Sequence, residues 1–393
     1  MNQATFVVNA GSASHKFALI DIDGTLHWEG RIDWVADCDH GIARHRRPDK
    51  KWQEEHLSIC KGQAAALTPW LKHQIETLSV DASLPVITRV GHRIVHGGEY
   101  FQQNTRLDDK VVKMLEQLIP LAPLHNSISV KTIGLMMKLC PNLPQIAIFD
   151  TAFHRTIPEK RITYGLPDDW RKQGIRRYGF HGISHGHLAR TIAKVKKNDD
   201  LRVVSLHLGG GCSMCAIRGL ESRDTSMGFT PLEGLVMGTR AGSFDPEIIL
   251  FKLRQGMSAK EIDEILQKHS GLFGLSGISA DIRQVRQAAD KGNGRARLAL
   301  DVFFTALVRY IGSAITVLKG VDVLALTGGI GENDSQLHDD LIRELGWLGV
   351  TARKNEPNHN NDCFRLSAPG QVELWVVRAD EEGTIAREAQ ACL

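Results

Sequence analysis

The sequence predicts an α/β chain built as two similar halves, a duplicated two-domain architecture with an interdomain active-site cleft. Three observations carry this reading. An apolar run from Thr5 to Val8 stops at Asn9-Ala10-Gly11-Ser12 and resumes from Phe17 to Asp21. A second run, Leu201 to Leu208, enters Gly209-Gly210-Gly211 and returns from Ser213 to Arg218. A third, Val321 to Leu326, ends in Thr327-Gly328-Gly329-Ile330-Gly331. One strand–glycine hairpin in each half, plus a late strand–glycine turn, describes a repeated unit, although the halves share no long sequence identity.

In chain order, Asp23-Gly24 makes the next hairpin turn, after the Phe17 to Asp21 run. The alternation of Leu26, Trp28, Gly30 and Ile32 then predicts a third strand, a β-meander and not the strand–loop–helix of a P-loop protein. Arg44 to Glu55 is charged and unpatterned, so a solvated loop is expected there. Helical spacing runs from Lys61 to Leu78. Arg89 to His96 reads as a buried strand closed by Gly97-Gly98. Val111, Val112, Leu115 and Leu118 make one helical stripe within Asp108 to Leu118, which Pro120 ends. Gln145 to Phe149 is a short buried strand, and Gly219 turns the second hairpin. Arg295 to Lys319 is a long helix pattern, more apolar than one surface stripe requires, which suits a core helix or a subunit interface equally.

The 393 residues suffice for two domains: residues 1–151 with a returning helix at 382–393, and residues 152–381. A formal net charge of +3 is too small to indicate nucleic acid or an anionic membrane surface as a partner. No run approaches the roughly 18 apolar residues of a membrane span, and the N-terminus lacks a charged leader before an apolar stretch. Seven scattered cysteines, an odd number, favour a reducing compartment, so a cytoplasmic location is expected. Cys212 and Cys215 have metal-ligand spacing but no second such pair, and are expected to pack. Of His181, His185 and His187, one is expected to be catalytic and two to cap, pack or face solvent. His92 and His96 flank Arg93 on a strand, where i, i+4 spacing has no metal meaning.

Phosphoryl transfer to a carboxylate makes specific demands. The acid is already ionised at neutral pH, because its reference pKa is near ~4. No strong base is needed, and the obstacle is repulsion between two anions. Catalysis then rests on positioning and on cations aimed at the moving group. The residues answer these needs. Ser12, Ser14 and Lys16 bring hydroxyls and an ammonium to a small-residue turn suited to phosphate. Arg93 lies on an apparently buried strand, where an unpaired charge is costly. Asp150 sits at a strand end, and Gly238-Thr239-Arg240 follows a glycine-rich segment.

The segments NAGSxSxKF, GHRxVHGG, LAPLHN, FDTAFH, RRYGFHGxSH, HLGxG, DTSMGFTPLEGLxMGTR, SGLxGLSG, TGGIGEN and DEE run from Asn9 to Glu382, within a match that extends from residue 6 to about 387. In this order they resemble the acetate kinase family, whose fold is shared with sugar kinases, actin and the Hsp70 ATPase domain. The resemblance implies Mg²⁺, with Mn²⁺ able to substitute, ATP or ADP, and acetate or another short-chain carboxylate, in a homodimer joined through the C-terminal domains. It implies metal-holding roles for Asn9 and Glu381, and catalytic roles for Arg93, Asp150, His181 and Arg240. Arg93 also meets the carboxylate substrate, and Val95, Leu124, Phe180 and Pro231 surround its methyl group. Phosphate and nucleotide contacts fall to Ser12, Ser14 and Lys16; to His207, Leu208, Gly209, Gly210 and Gly211; to Asp281, Ile282 and Arg283; and to Gly329, Ile330, Gly331, Glu332 and Asn333.

Several positions depart from that family's pattern: Ala13, Ser127-Ile128, Ile183, Gly210, Ala241, Ser243 and Arg378-Ala379. Gly210 stands where an asparagine amide is usual, so weaker nucleotide affinity is expected. None of the departures removes an implied catalytic residue. The rival readings are a propionate or broader short-chain acyl kinase, a non-catalytic ATP-binding switch of the actin/Hsp70 type, and a silent paralogue. A switch protein has no reason to keep Arg93, Arg240 and an apolar pocket together.

Overall fold

Each strand–glycine hairpin starts a sheet, and the two sheets organise the chain. The computed structural model describes residues 2–11, 14–34, 41–57, 64–354, 359 and 361–393. Ser12 and Ala13 lie outside the described residues. The chain divides into two compact units, Met1–Ala152 with Asp380–Leu393, and Phe153–Ala379.

The first unit has eight strands: β1 (Gln3–Ala10), β2 (Ser14–Asp21), β3 (Leu26–Trp34), β4 (Gly41–Arg46), β5 (Gln53–Leu57), β6 (Val86–Ile94), β7 (Thr105–Arg106) and β8 (Gln145–Phe149). Their order is β5-β4-β3-β2-β1-β6-β8-β7. The first five form an antiparallel meander, and β6 and β8 extend it in parallel from β1. Strand β1 is buried from Ala4 to Ala10 because both of its faces are covered. One face packs Phe6, Phe17 and Trp28 against Leu67, Trp70 and Leu71 of the helix Ala64–Val80 and Met136 of the helix Pro123–Leu139. On β6, a Cβ at Gly91 would stand 3.0 Å from Ile385 Cγ2 and 3.2 Å from the Ala389 Cβ. A glycine there lets the final helix, Glu381–Ala391, lie close against the sheet. The helix Asp109–Gln117 begins where the sequence marks it, with the Asp108 carboxylate accepting from Val111 N.

The second unit has six strands: β9 (Arg202–Leu208), β10 (Cys212–Arg218), β11 (Glu221–Thr225), β12 (Val323–Thr327), β13 (Cys363–Arg365) and β14 (Glu373–Val377). Their order is β11-β10-β9-β12-β14-β13. The duplication is topological. In each unit an antiparallel meander, five strands in the first and three in the second, leads to two parallel strands, and a short antiparallel strand closes the edge. The helix Gly294–Leu318 buries Ala296, Ala299, Leu300, Phe303, Leu307, Ile311, Ala314 and Leu318, a periodic face turned into this unit. By length and composition it is also apolar enough to cross a membrane.

Two expectations are corrected. The segment Arg44 to Glu55 is not a plain loop: it contributes β4 and β5, paired from Gly41↔Leu57 to His45↔Gln53. Strand β5 is exposed along nearly its whole length, so no apolar alternation marks it. A charge pair ties it to β4, Arg44 Nε to Glu54 Oε2 at 2.8 Å, and a second ties β4 to β3, Arg46 Nε to Glu29 Oε1 at 2.6 Å. The glycine segment after β12 is a short helix, Gly328–Asn333, rather than an open turn.

Candidate active site

In the first unit, parallel pairing places the ends of β1, β6 and β8 side by side, and the final helix begins beside them. Arg93, on β6, donates through Nε to both carboxylate oxygens of Asp150 at 3.1 and 3.2 Å, and through Nη2 to Oδ2 at 2.7 Å. Its Nη1 reaches Asn9 Oδ1 at 3.1 Å and Glu381 Oε2 at 3.5 Å. The Asn9 amide donates to Glu381 Oε2 at 3.1 Å and Glu382 Oε1 at 3.0 Å, and Lys16 Nζ lies 3.6 Å from Glu382. Asp150 is 1% exposed. Burial raises its pKa, with Arg93 opposing the rise and Glu381 adding to it. Burial also works against the Arg93 charge, but Asp150 and then Glu381 outweigh it and raise the guanidinium pKa.

Three carboxylates, Asp150, Glu381 and Glu382, thus face the two cations Arg93 and Lys16. Among the described residues no three His, Cys, Asp or Glu side chains form a ready metal cage. A small hard cation that retains water needs only one or two carboxylates. The oxygen-rich set with its surplus carboxylate fits such an ion.

In the second unit the β9–β10 turn is closed by Gly209 N donating to Gly211 O at 3.0 Å. A Cβ on Gly211 would lie 3.3 and 3.4 Å from Cε1 and Nε2 of His181, and 3.7 Å from Arg240 Nη1. One on Gly209 would lie 3.8 Å from His207 Nε2 and 4.0 Å from Gly329 N. The turn, both histidines, Arg240 and the start of the Gly328–Asn333 helix therefore adjoin one another. Burial lowers the Arg240 pKa, and among the described residues no carboxylate pairs with this guanidinium. A desolvated cation without a counter-charge, beside glycine backbone, is suited to receive an anion.

His181 caps the helix Gly182–Lys196 with φ 57°, an uncommon conformation for a side chain of this size. Its Nδ1 meets Ser213 Oγ at 2.9 Å, and the same oxygen meets His185 Nε2 at 2.8 Å. His185 Nδ1 continues to Ser205 Oγ at 2.7 Å, and Ser184 Oγ meets His207 Nδ1 at 2.8 Å. Burial drives the His185 pKa well below its usual value, with His154 and His207 adding to the fall. His154 donates from Nε2 to the Phe180 carbonyl at 2.9 Å, and burial lowers it to about 4. His187 reaches the Arg378 carbonyl. Cys212 and Cys215 are buried on β10, and burial pushes the Cys212 thiol up to about 12.

Several residues implied by the resemblance serve the protein's own backbone. Glu332 Oε1 accepts from Gly328 N at 3.0 Å and Ala379 N at 2.9 Å, bracing the turn after β12. Asn333 donates to Gly329 O. Asp281 caps the helix Ile282–Asp290 and pairs with the exposed Arg283, while Ile282 is buried. Leu208 is likewise buried. Ser14 begins β2, and its carbonyl accepts from Gly11 N. Val95 belongs to the first unit, Phe180 and Pro231 to the second. Val95 and Phe180 are buried and Pro231 half-buried, and the Leu124 side chain lies outside the described residues. Sequence reasoning missed Glu382, Ser184, Ser205 and Ser213. Only Glu382 carried a signal, its place in the Asp-Glu-Glu run.

Residues 4–387 match the acetokinase family. The acetate kinase of Synechococcus sp. (strain JA-2-3B'a(2-13)) is 40% identical over 399 residues, 98% of each chain. The crystal structure of a propionate kinase from Francisella tularensis subsp. tularensis SCHU S4 matches with a TM-score of 0.90 and 33% identity, covering 100% of both chains. That of Porphyromonas gingivalis acetate kinase matches with a TM-score of 0.86 and 32% identity over 99% of both. The expected duplicated α/β fold is borne out.

Proposed function

The chain belongs to the acetokinase family, and on that premise we propose that it transfers the γ-phosphoryl group of ATP reversibly to acetate, giving acetyl phosphate and ADP. The observation that carries the reading is Arg240, a desolvated guanidinium with no carboxylate partner among the described residues, beside a glycine turn and His181. Arg240, His181 and the turn amides receive the transferring phosphoryl group and its developing charge. Arg93, aimed by Asp150 and Asn9, receives the acid's carboxylate, which needs no deprotonation. Asn9 and Glu381 would hold Mg²⁺ or Mn²⁺, directly or through water, and the bound ion supplies neutralisation of phosphate charge. The remaining turn residues, Ser12, Ser14 and Lys16 with the segments Asp281–Arg283 and Gly329–Asn333, are assigned to ATP.

Val95, Leu124, Phe180 and Pro231 take the acid's alkyl group. One methylene is worth only ~1–3 kcal/mol in such a pocket, so propionate is the second reading, favoured by the match to a propionate kinase structure. A non-catalytic switch leaves the Arg93 cluster without a purpose. The two units are taken as the two domains, 1–151 with 382–393 and 152–381, in a cytoplasmic enzyme. A homodimer is supported by the helix Glu247–Arg254, where Ile248, Leu250, Phe251 and Leu253 are all substantially exposed. Exposed Leu298, on Gly294–Leu318, adds to that support.

The test is to incubate purified protein with Mg-ATP and acetate, propionate or butyrate, trapping acyl phosphate with hydroxylamine. Acid-dependent product that disappears in Arg93→Ala supports the kinase and ranks its substrates. ATP binding with no product from any acid sinks it.

A further inference from the structure

The second unit contains a half-buried polar knot that none of the roles above uses. Glu233 accepts from Arg177 Nη2 at 2.5 Å through Oε1, and from the Tyr164 hydroxyl at 2.5 Å through Oε2. The same hydroxyl accepts from Phe229 N at 2.8 Å. Arg177 Nη1 gathers three successive carbonyls, those of Thr225, Ser226 and Met227, at 3.1, 3.1 and 3.0 Å. Gly228 O in turn accepts from Tyr178 N at 3.0 Å and Gly179 N at 3.3 Å, one residue before Phe180. A Cβ at Gly228 would fall 1.6 Å from Glu233 Oε2 and 2.1 Å from the Tyr164 hydroxyl. Only glycine lets the carboxylate and phenol lie against the backbone at this point.

The knot therefore ties Thr225–Phe229 to Glu233, a span that brackets Pro231, and ties both to the approach to Phe180. Burial first, then Glu233, holds the Tyr164 phenol protonated well beyond its usual range, so it remains a donor. A connected network of this kind, partly withdrawn from water, favours one backbone arrangement over others. We propose that Tyr164, Glu233 and Arg177 are positioning residues that set how tightly the enzyme holds the alkyl group of its carboxylate substrate. The proposal rests on the reading that Phe180 and Pro231 face that group.

The experiment compares Tyr164→Phe with wild type for the KM of acetate, propionate and butyrate, the KM of ATP, kcat and the melting temperature. The expected result is an acid KM raised about five- to tenfold, the scale of one or two hydrogen bonds, with kcat and ATP KM within about twofold of wild type. Glu233→Gln keeps an acceptor for Tyr164 but loses the charge facing Arg177. It is expected to raise the acid KM alone, and it replaces Tyr164→Phe if the latter melts more than about 5 °C lower. An unchanged acid KM, or an equal effect on acid and ATP, overturns the proposal. Pro231→Ala separates the two layers. If it raises acid KM while the knot variants do not, the knot inference alone fails. If it leaves acid KM unchanged, the alkyl-pocket reading fails and takes this inference with it.

Discussion

Arg93 and Arg240 are the same residue type in two opposite surroundings. Arg93 is enclosed by Asp150, Asn9 and Glu381, and its charge is compensated. Arg240 is desolvated beside a glycine turn and meets no carboxylate among the described residues. The first unit has thus built its counter-charges in, and its arginine is also a structural member. The second has left a cation for an incoming anion to complete. Activity and stability are therefore separable at Arg240 and joined at Arg93.

The largest effects would break this contrast outright. Arg240→Ala is expected to lower kcat by about 10²–10³-fold, the scale of one lost transition-state donor, with a melting temperature equal to or above that of wild type. Arg93→Ala is expected to lose activity on the same scale. It also strands the Asp150 carboxylate, at a stability cost of about 3–5 kcal/mol. Acyl hydroxamate assays and thermal melts on both variants decide the matter. If Arg93→Ala melts like wild type, the contrast is wrong.

A change of pH sharpens it next. His15 and His92 in the first unit and His154 in the second are each lowered by burial to about 4 from 6.5. Unfolded chain binds these protons first, so the stability the neutral rings contribute is full above pH 6.5 and is lost as pH falls towards about 4. The slope is about 1.4 kcal/mol per pH unit for each ring. Denaturant titrations at pH 7, 6 and 5 should show stability falling steadily, with two of the three rings drawing on the first unit. A flat profile would refute the buried neutral assignment.

The smallest effect concerns Gly210, where a Cβ would meet nothing within 4 Å. Gly210→Asn should leave stability within about 0.5 kcal/mol and lower the KM for ATP by about threefold to tenfold, one added donor's worth. An unchanged ATP dependence refutes the idea that this glycine weakens nucleotide binding.

Much of this was legible in sequence wherever one-dimensional pattern and local chemistry coincide. Asp108 announces its helix because a cap acts on an amide three residues away. Arg93 draws attention because a buried strand does not tolerate a bare charge. Strand β5 was invisible because it is an exposed edge tied to β4 by a charge pair, which carries no period-two apolar signal. The Tyr164–Glu233–Arg177 knot was equally hidden, since its members stand 69 and 56 residues from Glu233 and no spacing rule joins them.

By itself the sequence determined the strand–glycine hairpins, the duplicated α/β class and the inventory of arginines, carboxylates and glycine turns, because these follow from local periodicity and residue type. Only the tertiary structure decided which arginine is compensated and which is not. It also decided that Glu332 braces its own turn, and that a serine links two histidines. Those outcomes depend on which distant side chains share a buried volume, and the free energy of a charge or a hydrogen bond is set by that company.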